Sequence, residues 1–135
     1  MRESPSGPEV EDPSLRSGER RIVSVLVADI QRSTPIAEKL GPERYKLLFD
    51  EVTRLLRQEV ERLGGTVAQL TGDGMLSLFG TPVAHEDDAE RAVNAALAIH
   101  DSLARYDADV GPAYGIELRS RVAVNTGPVV VPAAD

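Results

Sequence analysis

The sequence predicts an α+β domain of the split βαβ type, in which an antiparallel or mixed sheet carries helices on one face. Three observations predict it. A short apolar run near the start is typical of a central strand, two long amphipathic segments are typical of helices, and a hairpin signal separates those helices. The resulting order is β-α-α-β-β-α-β, with a further strand beginning near the last residues.

Residues 1–20 are rich in Pro, Ser, Gly and Glu and offer almost nothing to bury, so we expect a disordered leader or linker. Residues 21–135 are enough for one domain with its own core. Three valines close to the last residue need a neighbouring strand. We therefore expect residues 21–135 to be the N-terminal portion of a larger domain.

Composition and charge exclude several classes of function. The chain has no Cys and only two His, so any metal site uses oxygen ligands, as for Mg²⁺ or Mn²⁺. The formal net charge of −7 argues against a nucleic-acid partner. No apolar run approaches the roughly 20 residues of a membrane span, and no secretory signal opens the chain, so we expect a cytoplasmic protein.

The first strand, predicted over residues 21–30, ends in a carboxylate. Its apolar run is nearly continuous and rich in β-branched residues, which is typical of a central strand buried on both faces. The run breaks at Asp29, whose charge is costly there unless a cation or hydrogen bonds compensate it. Alternatively, Asp29 serves only in a turn or as a helix cap.

Two helices are predicted next. Thr34 suits an N-cap and Pro35 a first helical position, so the strand leads directly into a short helix that ends at Leu40. The free N–H groups at such a helix start favour anions. A second, strongly amphipathic helix is predicted from Pro42 to Leu63.

A hairpin follows, with strands over Thr66–Leu70 and Met75–Phe79. The turn between them contains Asp73 between two glycines, and Asp-Gly is a strong hairpin signal. Turn chemistry alone would explain this second acid. In a split βαβ sheet, however, the hairpin lies beside the end of the first strand, so Asp29 and Asp73 would meet and a shared cation would relieve their repulsion.

The remaining chain is predicted as a helix over residues 86–106, a loop over 107–116 and a strand over 117–124. A turn over 125–128 then leads into a partner strand at 129–131. Within the helix, His100 falls near the apolar stripe and is interpreted as a packed core or boundary residue.

Four motifs resemble the catalytic domain of class III adenylate/guanylate cyclases. They are VLVADIQRST, LTGDGMLSLFG, HEDDAERAVNAALAIH and RVAVNTGPVVV, in the family's order, and they extend from Arg21 to Val131. The resemblance implies a ferredoxin-like domain that forms a head-to-tail homodimer with active sites at the interface. It also implies a reaction: ATP, or GTP, is converted to a 3′,5′-cyclic nucleotide and pyrophosphate with two Mg²⁺ or Mn²⁺ ions.

The resemblance assigns residues as well. Asp29 and Asp73 match the two catalytic, metal-binding aspartates, and Ile30 matches a residue that lends a backbone carbonyl to a metal. The remaining assignments concern the nucleotide: Ile30, Gln31, Arg32, Ser33 and Thr34 match the phosphate-binding turn, Gln69 matches the purine-recognition position, and Gly72 lies in the nucleotide-binding hairpin.

Three departures from the family pattern bear on activity. Gln69 stands where the family usually has Lys, and it can donate and accept hydrogen bonds but brings no charge. Arg32 stands where the family usually has Gly. The second purine-contacting residue and the Asn and Arg that stabilise the transition state would follow Val131, so we expect a truncated domain with little or no activity.

Two rival functions are weighed against a cyclase. A non-catalytic cyclase-homology module for dimerisation or nucleotide sensing is favoured by Gln69 and by the expected truncation, but it has no need of two crowded carboxylates. Another two-aspartate enzyme of the palm type is disfavoured: a diguanylate cyclase would have a Gly-Gly-Asp/Glu-Glu-Phe hairpin, and a polymerase would not be acidic.

Overall fold

A computed structural model describes residues 19–131, with side chains described for residues 20–130. Four strands and three helices make up this part of the chain. In chain order they are β1 Glu19–Ile30, α1 Ser33–Leu40, α2 Pro42–Arg62, β2 Thr66–Leu70, β3 Gly74–Phe79, α3 Asp88–Tyr114 and β4 Ser120–Val131. Residues 1–18 of the predicted leader lie outside the described residues, and its last two, Glu19 and Arg20, belong to β1.

The four strands form one antiparallel sheet in the order β2-β3-β1-β4. The strand β1 is central, as predicted, and it pairs with β3 on one side and with β4 on the other. The prediction that β1 is buried on both faces was wrong, because Val27 on its second face is 43% exposed. The strands β1 and β2, joined through α1 and α2, are separated in the sheet by β3. This arrangement confirms the split βαβ prediction.

The core lies between one face of the sheet and the helices. Alternate residues of β1, Leu26, Ala28 and Ile30, are buried on this face, as the two-residue period of a strand requires. The helices supply the other side of the core through residues at i, i+4 spacing. These are Leu48, Val52, Leu56 and Val60 from α2 and Ala92, Ala95, Ile99 and Leu103 from α3.

The short helix begins two residues earlier than predicted. Its N-cap is Arg32 and its first residue is Ser33, so the prediction that Thr34 caps it was wrong. Pro35 is compatible with the third position because N–H groups of the first turn need no intrahelical partner. Arg32 adopts the left-handed conformation, with φ 59°, at the position where the cyclase family usually has Gly.

The long helix α3 continues to Tyr114, so the loop predicted over residues 107–116 was wrong. Tyr106 and Val110 pack on the core, and this burial holds the last turns in place despite Pro112. Gly115, with φ 67°, then ends the helix. No helix within residues 19–131 is long and apolar enough to cross a membrane.

The last strand runs without interruption through the turn predicted over residues 125–128. All 12 residues of β4 pair with β1, from Ser120 opposite Ile30 to Val131 opposite Glu19. Pro128 is tolerated because β4 is an edge strand, where one side of the backbone needs no partner. His100 was also wrongly predicted: it is exposed on α3, and its Nδ1 contacts the Ser120 hydroxyl.

Candidate active site

The end of β1 and the hairpin between β2 and β3 lie side by side. Asp29 pairs directly with Gly74 in the β1–β3 ladder, and the N–H of Ile30 donates to the carbonyl of Asp73 at 3.1 Å. The two acid-bearing segments are therefore neighbours, although more than 40 residues separate them in sequence. Their adjacency is what the split βαβ order predicted.

A glycine makes this close approach possible. A Cβ at Gly74 would lie 2.5 Å from the carbonyl oxygen of Ala28 and 2.9 Å from the Cβ of Asp29. Both distances are shorter than real Cβ contacts. Any side chain at residue 74 would therefore force the hairpin away from Asp29. Gly72 in the same turn has open space around it.

The exposed carboxylate of Asp73 is held by the start of α1 and by its own turn, and α2 contacts the same turn. Its Oδ2 accepts from the Ser33 hydroxyl at the start of α1, at 3.4 Å, and its Oδ1 accepts from the Thr71 hydroxyl at 3.3 Å. From α2, the Tyr45 hydroxyl donates to the carbonyl of Gly72 at 3.4 Å. Burial, together with the negative charge of Asp73, raises the pKa of Tyr45, so its hydroxyl stays a proton donor at neutral pH.

The carboxylate of Asp29 is half-buried and paired with an arginine. Its side chain is 28% exposed, and Arg121 of β4 donates to both of its oxygens, from Nε at 3.2 Å and from Nη2 at 3.3 Å. A bidentate pair of this kind satisfies the charge that the sequence left unexplained at the end of a buried strand. Asp29 is thus engaged from the sheet side and Asp73 from the helix side.

The predicted phosphate-binding turn divides into two parts. The N–H groups of Ile30 and Gln31 already donate to carbonyls of the hairpin and of Arg119, and the Ile30 side chain is only 2% exposed. The first intrahelical bond runs from Ile36 to the carbonyl of Arg32. The N–H groups of Ser33 and Thr34 precede it and point out of the helix start, where an anion is favoured.

The side chains of Gln31 and Arg32 lie towards β4. Gln31 Nε2 donates to the carbonyl of Ser120 at 3.1 Å. Arg32 lines a cavity of 230 Å³ between α1 and the segment before β4, together with Lys39 and Arg119. A phosphate contact by the Arg32 side chain therefore requires that side chain to turn, whereas the start of α1 needs no such change.

A β-bulge determines which face of the sheet carries Gln69. The β2–β3 register shifts between Val67 and Gln69, which leaves Ala68 as the extra residue. Gln69 consequently pairs with Leu76, which in turn pairs with Val27 of β1. Val27 is two residues from Asp29, so Gln69 is exposed on the same helix-free face as Asp29, one row away.

The donor set suits a hard cation whose coordination is completed by other ligands. Within residues 20–130, no group of three or more His, Cys, Asp or Glu is placed to hold a metal. Asp29 and Asp73 offer two carboxylates, and Ile30 offers a backbone carbonyl, all of them oxygen donors. Such a set fits Mg²⁺ or Mn²⁺, which commonly bind through one or two carboxylates together with substrate phosphates.

Sequence reasoning missed two residues of this site. Tyr45 lies within the helix predicted from Pro42 to Leu63 and Arg121 within the strand predicted over 117–124, but neither side chain was given a role. The partner of Arg121 depends on the β1–β4 register, which pairs it with Asp29. No local signal in the sequence specifies that register.

The fold, with an acid-bearing hairpin beside the end of its central strand, is typical of one class of proteins, the nucleotide cyclases. The sequence model of the adenylate and guanylate cyclase catalytic domain matches residues 15–133. Because this match covers most of the chain, the chain belongs to that family.

Solved cyclase domains share this fold. The guanylyl cyclase Cya2 is 31% identical with a TM-score of 0.78, over 84% of this chain and 58% of that one. The adenylyl cyclase CyaB from P. aeruginosa is 26% identical with a TM-score of 0.77, over 84% of this chain and 59% of that one.

A characterised relative is similar in sequence. Adenylate cyclase 1 of Rhizobium meliloti (strain 1021) is 30% identical over 116 residues, which is 86% of this chain and 17% of the relative. The chain therefore spans less than two thirds of these proteins.

Proposed function

We propose that this domain converts ATP into 3′,5′-cyclic AMP and pyrophosphate, with Asp29 and Asp73 holding two divalent cations at a dimer interface. The observation that carries the proposal is the pairing of Asp29 with Gly74, which brings both acid-bearing segments together beside the start of α1. Positioning and positive charge are the main requirements of phosphoryl transfer, and two carboxylates beside a helix start would supply both once a divalent cation is bound.

Asp29, Asp73 and the carbonyl of Ile30 would hold Mg²⁺ or Mn²⁺, which when bound supplies positive charge that acidifies a hydroxyl and neutralises phosphates. The N–H groups of Ser33 and Thr34 bind phosphate oxygens at the start of α1. With the triphosphate held there, the ribose 3′-hydroxyl gives its proton to solvent water, and the 3′-oxygen attacks the α-phosphorus. The bond from that phosphorus to the bridging oxygen breaks, and pyrophosphate leaves.

Gln69 is proposed to contact the purine. It is exposed on the helix-free face, one row from Asp29, and its amide both donates and accepts hydrogen bonds. Adenine and guanine differ in the donors and acceptors along their edges, and an amide can match either. ATP is proposed ahead of GTP because ATP is the commoner substrate in the cyclase family that the motifs resemble.

The helix-free face of the sheet supports the proposal of a homodimer. Val27 is 43% exposed there, and a groove of 340 Å³ runs between Val25 and Val27 of β1 and residues 123–129 of β4. Exposed apolar surface of this kind is typical of an interface. A second copy covering this face would also enclose Asp29 and Gln69.

We place the protein in the cytoplasm, where a nucleoside triphosphate is available.

The test measures cyclic nucleotide formation from ATP and from GTP with Mn²⁺. The chain of 135 residues is compared with a chain extended at its C-terminus to the length of the solved cyclase domains. We expect cyclic AMP from the extended chain and none from its Asp29→Asn variant. If the extended chain forms no cyclic nucleotide, the proposal is wrong. Nucleotide binding without turnover would then identify a non-catalytic module.

A further inference from the structure

Arg121 and Asp29 occupy directly opposite positions on neighbouring strands. The β1–β4 ladder extends over 12 residue pairs, and its register places these two residues across from each other. Side chains at opposite positions of an antiparallel pair have Cβ atoms only about 5 Å apart. The contact is therefore set by the sheet, and it does not depend on a chance meeting of long side chains.

The two partners differ in their freedom to move. The Asp29 side chain is short and 28% exposed, whereas that of Arg121 is 69% exposed. The guanidinium can leave the carboxylate by rotating into solvent, at little cost in burial. The carboxylate cannot follow, because its position at the end of β1 is fixed by β3 on one side and β4 on the other.

We propose that Arg121 is the counter-ion of Asp29 whenever the divalent cation is absent, and that cation and guanidinium compete for this carboxylate. The inference rests on the proposed function, because it takes Asp29 as a metal ligand. Both carboxylate oxygens accept from Arg121, so a cation that approaches either oxygen meets the positive charge of the guanidinium beside it, and the two cations repel each other. Arg121 thereby lowers the affinity of the nucleotide-free site for metal.

This arrangement also explains how two acids stay close without metal. Asp29 and Asp73 lie on adjacent segments of a chain whose net charge is −7, so without metal their negative charges favour a positive partner nearby. Arg121 supplies it for Asp29, while Asp73 receives hydrogen bonds from Ser33 and Thr71. The ion pair thus keeps Asp29 oriented in the absence of metal.

The experiment measures Mn²⁺ binding without nucleotide, by the electron paramagnetic resonance signal of free Mn²⁺. Wild type is compared with Arg121→Gln, Arg121→Lys and Asp29→Asn. A partly exposed ion pair lowers the affinity of a competing cation by only a small factor. Arg121→Gln should therefore bind Mn²⁺ roughly two- to fivefold more tightly than wild type. Arg121→Lys keeps the charge but loses the planar guanidinium, so its Mn²⁺ affinity should lie between those of wild type and Arg121→Gln.

Arg119→Gln is the matched control for charge. It removes the same charge two residues away, from an arginine that pairs with Glu117 instead. If Arg119→Gln and Arg121→Gln raise the Mn²⁺ affinity equally, the proposal is overturned, because the increase would then reflect the net charge of the chain. The proposal is also overturned if Arg121→Gln binds Mn²⁺ no more tightly than wild type does.

A second readout follows Arg121 itself. In nitrogen-15 spectra of the arginine Nε–H groups, Mg²⁺ should shift the Arg121 signal towards that of a free arginine and leave Arg119 unchanged. An unmoved Arg121 signal under saturating Mg²⁺ contradicts competition while leaving the cyclase proposal intact. If neither wild type nor Arg121→Gln binds metal, both proposals fall together.

Discussion

Replacing Gly74 by alanine is expected to separate the hairpin from β1 at Asp29. The new Cβ would lie 2.5 Å from the Ala28 carbonyl oxygen, so the two backbones must part by about 0.5 Å or more. Overpacking of this kind costs about 1–3 kcal/mol of unfolding free energy. For a domain of this size, each kcal/mol lowers the melting temperature by about 3–5 °C.

Gly72→Ala is the control for this substitution. It adds the same methyl group two residues away in the same turn, where nothing lies within 4 Å, and Gly72 has no left-handed φ. Its effect on unfolding free energy should stay within about 0.5 kcal/mol. Thermal unfolding is followed by circular dichroism for both variants and for the wild type.

Mn²⁺ binding is measured by calorimetry on the same samples. Because Asp29 and Asp73 lie on the two segments that separate, Gly74→Ala should bind Mn²⁺ more weakly than Gly72→Ala. Equal melting temperatures and equal Mn²⁺ affinities in the two variants would refute the argument that close approach at Gly74 builds the site.

Three further predictions follow from the site and the core. Asp29→Asn and Asp73→Asn should each abolish measurable Mn²⁺ binding while the circular dichroism spectrum stays unchanged; retained binding in both variants would exclude these residues as ligands. Leu26→Ala, at a fully buried position of β1, should cost about 2–5 kcal/mol in denaturant unfolding, and a cost under 1 kcal/mol would contradict its place in the core. Burial raises the pKa of Glu59, but hydrogen bonds from Ser102 and a neighbouring arginine outweigh burial and leave this pKa below its usual 4.5. Glu59 therefore stabilises the folded protein above pH 4.5, and this contribution is lost as the pH falls through the pKa of Glu59 in the folded state. The destabilisation by Ser102→Ala should therefore be larger near pH 7 than near pH 3, and a pH-independent cost would rule out this linkage.

Local patterns were sufficient for much of the architecture. The β-branched run of β1, the apolar stripe of α2 and the Asp-Gly turn each predicted an element that the structure contains. Their order implied the split βαβ sheet, and that sheet implied that the segments carrying Asp29 and Asp73 are neighbours. These inferences succeeded because the periodic patterns of strands and helices can be recognised in short segments of the sequence.

Long-range pairing decided what the local patterns could not. Gly127 and Pro128 are typical turn residues, yet β4 runs straight through them because its whole length pairs with β1. The burial of Val110 likewise extends α3 beyond the predicted loop. In both places, tertiary contacts outweighed a local signal.

The sequence by itself determined most of the elements, their order, and the placing of Asp29 at the end of β1 and of Asp73 in the hairpin turn. Only the tertiary structure decided that a bulge at Ala68 places Gln69 on the face of Asp29, and that Arg121 is the partner of Asp29. The reason is physical: strand register is set jointly by residues that are far apart in the chain, and a shift by one residue would turn every side chain of a strand to the other face.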